Sequence, residues 1–274
     1  MKLIRHLFAG VPAYAALQPD GTIQEIEGDI FGKFRLTGRI FKEGKRLAPV
    51  APSNIFGVGL NYQSHATDLN RTPPERPMLF MKGTNTVQNP DDPIEIPQAL
   101  ASHEVDYEGE LAVVIGRSCK NVPRARALDY VLGYTIANDV TARDWQFKLG
   151  GGQFCQGKSF DTFCPLGPVL VTADEIPDPG RLQLTTRVNG EVRQSSSTAS
   201  LIFDVPALIE FLSASKRLLP GTVILTGTPQ GVGFAAKPPV FLQPGDRVEI
   251  AIEGLGVLAN PVQLEALPAA VNGA

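Results

Sequence analysis

The chain of 274 residues carries 25 Lys and Arg against 28 Asp and Glu, a formal net charge of −3, and 43% of its residues are hydrophobic. This length and apolar content allow a sizeable core, in one large domain or in one domain with a small appendage. No basic run or basic–aromatic stripe occurs, which argues against nucleic acid and anionic membranes as partners. The balance is typical of an enzyme or a ligand-binding protein.

The cysteines and the N-terminus indicate the compartment. Cys119, Cys155 and Cys164 show neither CxxC spacing nor an even-numbered framework, which favours a reducing compartment without a thiolate zinc site. No apolar run approaches the roughly 18 residues that span a bilayer. The first 16 residues resemble a signal peptide, but His6 and Pro12 interrupt their apolar centre. We therefore expect strands there and a cytoplasmic protein.

The N-terminal part of the chain predicts short strands and turns. A Pro-Asp-Gly sequence at 19–21 separates two strand-like stretches and predicts a hairpin. The proline-containing stretch LAPVAPSN, 47–54, interrupts this pattern. We expect a small N-terminal domain at 1–50 and a main domain at 51–274.

The main domain is rich in predicted strands and poor in helices. Asn189-Gly190, between alternating residues, predicts a hairpin, and GLG at 254–256 predicts another reversal. Asp204 is placed to cap a helix over 205–218, and a shorter helix is predicted after Pro123. The pattern predicts a mixed α+β, mainly β fold of the β-sandwich or barrel-like roll type instead of a doubly wound sheet.

The stretch HEVDYEGELAVVIG, 103–116, places four acids on one face of a predicted strand, at Glu104, Asp106, Glu108 and Glu110. The strand becomes apolar on both faces immediately afterwards. Burying carboxylates together is costly unless a cation lies between them, and oxygen ligands select Mg²⁺, Mn²⁺ or Ca²⁺. The alternative is a solvated edge strand. It suits Glu104 and Asp106, which we expect to extend towards solvent, but it suits Glu110 poorly.

Asp139 is a further candidate acid, since it ends the apolar stretch GYTIAND. It is placed either to contribute to a site at the end of a buried strand or to cap a helix beginning at TARDWQ. The local sequence leaves both interpretations open.

Three other segments carry residues suited to catalysis. In GLNYQSHATDLN, 59–70, one helical turn would place His65 and Asp68 on the same side, where the acid can orient a general base on a mobile lid. Lys158, between aromatic residues and glycines, is suited either to binding a substrate oxygen or to a surface ion pair. The glycine-rich LTGTPQGVG, 225–233, offers backbone N–H groups to an oxyanion.

Seven stretches in order together resemble the fumarylacetoacetate hydrolase family. They are GVGLNYQSHATD, PMLFMKGTNT, DYEGELAVVIG, GYTIANDVTARDWQ, GKSFDTFCPLGP, VNGEVRQ and ILTGTPQGVG. The segment KPPVFLQPGD resembles the branch that contains the domain-2-type animal proteins. The resemblance implies a β-roll catalytic domain, a small N-terminal domain and a homodimer.

The resemblance also implies roles for individual residues. Mg²⁺, or else Mn²⁺ or Ca²⁺, would be held by Glu108, Glu110 and Asp139. Catalytic roles would fall to His65, Asp68 and Lys158. The substrate would be contacted by Lys82, Arg143, Gln146 and Thr228.

These residues suggest chemistry on a small dicarboxylate or 2-oxo acid. The first hypothesis is a divalent-metal-dependent hydrolase that cleaves a C–C bond in a β-diketo or 2-oxo acid of the acylpyruvate or fumarylpyruvate type. The alternatives are an oxaloacetate keto–enol tautomerase or decarboxylase, and an isomerase of the hydroxymuconate or 2-hydroxyhepta-2,4-diene-1,7-dioate type. A non-enzymatic binding protein with this fold is a third class, against which the complete set of site residues argues.

Overall fold

Strands make up most of the regular structure, and the computed structural model describes residues 1–68 and 71–267. The strands are β1 (Lys2–Phe8), β2 (Val11–Leu17), β3 (Ile23–Gly28), β4 (Phe34–Phe41), β5 (Arg46–Leu47), β6 (Asn54–Gly59), β7 (Met78–Lys82), β8 (Val87–Gln88), β9 (Ile94–Ile96), β10 (Val105–Asp106), β11 (Gly109–Ile115), β12 (Val131–Asn138), β13 (Thr141–Ala142), β14 (Cys164–Thr172), β15 (Gln183–Val188), β16 (Glu191–Ser197), β17 (Thr222–Leu225), β18 (Arg247–Ile252) and β19 (Gly256–Leu264).

The helices are short. They are α1 (Gln63–Asp68), α2 (Phe154–Lys158) and α3 (Val205–Ser213), with a π-helical turn at Trp145–Leu149. 3₁₀ turns lie at Thr84–Thr86, Arg124–Tyr130, Ala173–Glu175, Pro179–Arg181, Thr198–Ser200 and Gly233–Ala235. Within the described ranges, none of these helices has the length and apolar character of a membrane span.

Two large sheets form the architecture, which confirms the mainly β prediction. The larger follows the order β4-β3-β2-β1-β14-β12-β11-β17-β6-β7, with β5 added beside β1 and β8 beside β14. The smaller follows β16-β15-β18-β19-β9. The N-terminal hairpins join the larger sheet where β1 pairs with β14, and the predicted reversals at 19–21, 189–190 and 254–256 each connect paired antiparallel strands.

β11 lies at the centre of the larger sheet with all seven residues buried. On one face, Leu111 and Val113 belong to the core cluster that contains Ile250 of the smaller sheet. On the other face, Ala112 and Val114 belong to a second cluster. The strand is therefore covered on both sides, as its apolar sequence predicts, and polar side chains at its start are buried as well.

The start of α3 is as predicted, but its end is not. Asp204 Oδ1 accepts a hydrogen bond from the Ala207 N–H at 2.9 Å, which confirms the predicted cap. The helix ends at Ser213 instead of 218 because Ala214 is extended and Ser215 has a φ of 57°. The helix predicted after Pro123 is the 3₁₀ turn at Arg124–Tyr130.

A close contact between β6 and β7 sets the position of one aromatic ring. Gly57 lies opposite Phe80, and a Cβ added to Gly57 would lie 2.1 Å from the end of the Phe80 ring. The Lys158 ammonium lies 4.7 Å from the centre of the same ring. A glycine at position 57 thus leaves room for a ring that contacts a buried charged group.

We predict that Gly57→Ala lowers the free energy of unfolding by about 1–3 kcal/mol, since the added methyl displaces a buried ring from a packed position. Urea unfolding followed by circular dichroism measures the change. Gly32→Ala is the control, because its Cβ would meet its nearest neighbour at an ordinary 3.4 Å. Equal stability of the two variants would contradict this packing argument.

Candidate metal centre and active site

Three carboxylates converge where β11 begins and β12 ends. Glu108 and Glu110 flank Gly109, which lies opposite Asn138 in the antiparallel register of the two strands, and Asp139 follows. One oxygen from each carboxylate lies within 4.8 Å of the others, and all three residues are buried. The register of two adjacent strands therefore gathers acids that are about 30 residues apart in the sequence.

Asp139 is bound by two ammonium groups. Its Oδ1 lies 2.7 Å from Lys82 Nζ, and its Oδ2 lies 2.6 Å from Lys158 Nζ. The helix-cap interpretation of Asp139 is wrong, since Asp144 precedes the helical turn at 145–149 and accepts the Trp145 N–H at 2.9 Å. The side chain of Asp139 is thus available to the site.

Glu108 is held by two further cationic contacts. Lys158 Nζ lies 2.9 Å from its Oε2, and an Arg143 terminal nitrogen lies 2.7 Å from its Oε1. Burial alone would raise the pKa of Glu108, but Lys158 and Arg143 outweigh burial and hold it below its usual range. Lys158 is itself buried, so the surface ion pair considered for it is wrong.

Glu110 has weaker compensation. Its Oε2 accepts the Gly227 N–H at 2.6 Å, so at this position the glycine-rich loop donates to a protein carboxylate and not to a substrate oxyanion as predicted. Burial raises the pKa of Glu110 well above its usual value, and repulsion from Asp139 and Glu108 raises it further. Of the three converging carboxylates, Glu110 is therefore the one whose charge the surrounding protein stabilises least.

Asp106 corrects another expectation. It is fully buried and does not extend towards solvent, because its Oδ2 accepts from Arg143 Nε at 2.9 Å and its Oδ1 from the Gly233 N–H at 2.8 Å. The alternation along the strand placed it correctly beside the other acids, but its partner lies 37 residues away. Glu104 behaves as predicted, since it is only partly buried and pairs with the exposed Lys148 at 2.5 Å.

The charges of this cluster fit a bound divalent cation. Four buried carboxylates (Asp106, Glu108, Glu110 and Asp139) face three buried basic groups (Lys82, Arg143 and Lys158), so one negative charge is left over when all four acids are ionised, as they would be with a cation bound. The converging donors are oxygens, which suit Mg²⁺, Mn²⁺ or Ca²⁺. Burial raises the pKa of the Cys164 thiol to about 12, so this nearby cysteine stays protonated and offers no thiolate. Glu108, Glu110 and Asp139 would hold the ion.

A cavity of about 460 Å³ opens beside the carboxylates. Its polar lining comprises His65, Arg71, Glu108, Glu110, Arg143, Gln146, Lys148, Lys158 and Thr228. Its apolar lining includes Phe80, Phe147, Phe154 and Phe234, and the Phe147 ring centre lies 5.2 Å from that of Phe234. The chamber thus combines a charged surface that suits an anion with aromatic walls that limit access of water.

Three of the four predicted substrate residues line this cavity. Gln146 Oε1 accepts from Arg143 Nη1 at 3.1 Å, and Thr228 Oγ1 donates to the Gly109 carbonyl at 3.0 Å. Lys82 is the exception. It lies outside the cavity lining and contacts Asp139 and the Val140 carbonyl, so it adjoins a proposed metal ligand.

The predicted helical turn carrying His65 and Asp68 forms as α1, but the two side chains are not joined. His65 lines the cavity, and burial lowers its pKa to about 4, so the imidazole is neutral at pH 7. In the described part of the chain, its Nδ1 has no hydrogen-bond partner, and Asp68 is exposed. The end of the predicted lid segment, 69–70, lies outside the described residues. A neutral base is therefore present, but it is not part of a hydrogen-bonded acid–imidazole pair.

Two family models match consecutive parts of the chain. Residues 54–263 match the family model described as "Fumarylacetoacetate (FAA) hydrolase C-terminal", and residues 1–49 match "Rv2993c-like, N-terminal". The oxaloacetate tautomerase fahd2, a mitochondrial protein of Xenopus laevis, is 50% identical over 217 residues, which cover 79% of this chain and 67% of that protein.

Solved structures extend the similarity to nearly the whole chain. The 5-carboxymethyl-2-hydroxymuconate delta-isomerase of Mycobacterium smegmatis has a TM-score of 0.85 and 43% identity, covering 97% of this chain and 100% of that chain. The fumarylacetoacetate hydrolase of Exiguobacterium antarcticum has a TM-score of 0.82 and 38% identity, with the same coverage of both chains. From the family model and these relatives, the chain belongs to the fumarylacetoacetate hydrolase family.

Proposed function

We propose that the protein is a Mg²⁺-dependent tautomerase that interconverts the enol and keto forms of oxaloacetate or a closely similar 2-oxo diacid. The observation that carries this proposal is the group of three buried carboxylates, adjoining a cavity whose lining includes the buried cations Arg143 and Lys158 and the neutral His65. The similarity to an oxaloacetate tautomerase supports the choice of substrate.

The residues of the chain are suited to moving protons on an anionic substrate. In the enol-to-keto direction, one proton leaves the enol oxygen and one is delivered to C3. A bound ion supplies positive charge that favours the oxyanion form of a 2-oxo acid. Arg143 and Lys158 provide cationic contacts for substrate oxygens, and the neutral His65 accepts or donates the transferred proton. Gln146 and Thr228 orient the substrate from the same cavity.

The state of His65 favours tautomerisation over C–C hydrolysis. Hydrolysis requires an activated water, for which the His65–Asp68 dyad was predicted. Asp68 is exposed, and within the described residues no hydrogen bond connects it to His65. Proton transfer to and from an enol needs a base but no attacking water. The present arrangement therefore suits the tautomerase better than the hydrolase.

A second candidate is isomerisation of a longer unsaturated 2-hydroxy acid. The cavity volume of about 460 Å³ and the four phenylalanines in its wall leave space for an extended apolar chain. The similarity to the M. smegmatis isomerase supports the same reaction class. It uses the same proton-transfer residues, so it differs from the first candidate in the substrate alone.

We also propose a cytoplasmic homodimer with two domains divided near residue 50. The three cysteines are free, which suits a reducing compartment. The exposed apolar side chains of Val11 and Ile40 on the N-terminal strands supply contact surface for a second copy.

The proposed reaction predicts that the protein with Mg²⁺ accelerates decay of enol-oxaloacetate, followed by its ultraviolet absorbance, above the spontaneous rate. EDTA should abolish the acceleration, and added Mg²⁺ should restore it. Hydrolysis of acetylpyruvate and formation of pyruvate from oxaloacetate are measured in parallel. Rapid acetylpyruvate cleavage without faster enol decay would contradict the tautomerase and favour the hydrolase.

His65→Ala is expected to lower the tautomerisation rate by about 10²–10⁴-fold, since this range is typical for loss of a general acid–base group. His103→Ala serves as the matched control, because His103 is exposed and outside the cavity lining. Steady-state kinetics on enol-oxaloacetate compare both variants with the wild type. Wild-type activity in His65→Ala would rule out this proton-transfer role.

Glu110→Gln should separate ion binding from folding. In EDTA, the variant is expected to unfold at the same temperature as the wild type or above it, since an uncharged amide relieves repulsion from Glu108 and Asp139. Mg²⁺ at 100 times its Kd should stabilise the wild type by about 2.7 kcal/mol and the variant by less. Differential scanning calorimetry measures both effects, with Glu104→Gln as the control. An unchanged Mg²⁺ effect in Glu110→Gln would contradict the proposed ligand set.

A further inference from the structure

On the edge of β11 that faces away from β12, the N–H and carbonyl of Gly109 are held by side chains and not by a neighbouring strand. β17 ends at Leu225, opposite Ala112 of β11, so strand pairing along this edge stops before Gly109. The Gly109 N–H donates to Gln194 Oε1 at 2.9 Å, and the Gly109 carbonyl accepts from Thr228 Oγ1 at 3.0 Å. We call this arrangement of Gln194, Thr228 and the Gly109 peptide the Gly109 clamp.

Gln194 has one orientation that satisfies its neighbours. Its Oε1 faces a backbone N–H, while its Nε2 donates to the Pro229 carbonyl at 3.0 Å. These two backbone partners fix which end of the amide is oxygen and which is nitrogen. Nε2 also donates to Thr228 Oγ1 at 2.7 Å. Gln194 is 1% exposed and is not part of the cavity lining. It therefore acts on the site only through Gly109, Thr228 and Pro229.

The Gly109 clamp joins the two sheets at a point where the backbone is too tightly packed for a side chain at position 109. Gln194 belongs to β16 of the smaller sheet, whereas Gly109 begins β11 of the larger one. A Cβ at Gly109 would lie 2.3 Å from Thr186 Oγ1 and 3.2 Å from Gln194 Oε1. Only glycine allows this approach, which brings the backbone between Glu108 and Glu110 against a fixed hydrogen-bonding group.

We propose that Gln194 is a positioning residue for the metal centre. It fixes the peptide from which Glu108 and Glu110 project, and it holds Thr228 against the same peptide. This inference rests on the part of the proposed function that assigns both glutamates to an ion. Without the amide, a buried N–H and a cavity hydroxyl both lose a partner, and the backbone between the two carboxylates is held on its β12 edge alone.

Binding of Mn²⁺ to purified, EDTA-treated protein tests the proposal by calorimetry without any substrate. Gln194→Met, of similar shape but without the amide, should weaken Mn²⁺ binding by about 10–100-fold, as expected when a group supporting metal ligands is lost. Asn260→Leu is the matched control. Asn260 is also a buried amide, and its Nδ2 donates to the Asn89 and Asp92 carbonyls away from the site. It should lose stability but keep its Mn²⁺ Kd within about twofold.

An Mn²⁺ Kd within about twofold of wild type in Gln194→Met would overturn the proposal, since the amide would then serve folding alone. If Gln194→Met does not fold, Thr228→Val removes the other half of the clamp with a side chain of equal shape, and an unchanged Kd there overturns it equally. Wild-type protein that binds no Mn²⁺ contradicts both the clamp and the metal centre. Mn²⁺ binding without tautomerisation contradicts the proposed reaction alone.

Discussion

An excess of buried negative charge at the start of β11 is the constraint on which the site depends. The strand is covered on both faces, so its acids are shielded from bulk water, and repulsion among them must be offset within the protein. Lys82, Arg143 and Lys158 come from three separate segments to do this, and one negative charge still remains. A divalent cation at Glu108, Glu110 and Asp139 would offset this excess, and the same cation would suit the chemistry of 2-oxo acids.

Much of the surrounding fold can be understood as support for these charges. The antiparallel register of β11 and β12 places Asp139 beside the two glutamates, and the smaller sheet contacts the peptide between them through Gln194. Aromatic rings form part of the cavity wall, and apolar surroundings strengthen electrostatic interactions beside them. Phe80 is part of this wall, and Gly57 leaves the space its ring requires. Gly57 and Phe80 therefore contribute both to the packing of the fold and to the shape of the cavity.

The sequence predicted those features that depend on local patterns. Alternation indicated the strands and the shared face of the acids, Asn189-Gly190 indicated a hairpin, and Asp204 indicated a helix start. The sequence did not predict which charged side chains pair across long distances in the chain. The burial of Asp106 depends on Arg143, and the position of Lys82 behind Asp139 depends on the neighbouring strands. Resemblance to a family suggested which residues belong to the site, but it did not reveal which of them touch the cavity.

Gln194 illustrates the remaining gap. Its motif was visible in the sequence, yet an uncharged amide on a strand carries no chemical signal until its hydrogen bonds are known. His65 and Asp68 show the converse, since their spacing predicted a joined pair that the described contacts do not contain. The most direct test of the central claim is a crystal structure of Mn²⁺-soaked protein with anomalous scattering data. We expect one strong anomalous peak bound by Glu108, Glu110 and Asp139. A map without that peak, with Lys158 still bound to Glu108 and Asp139, would contradict it.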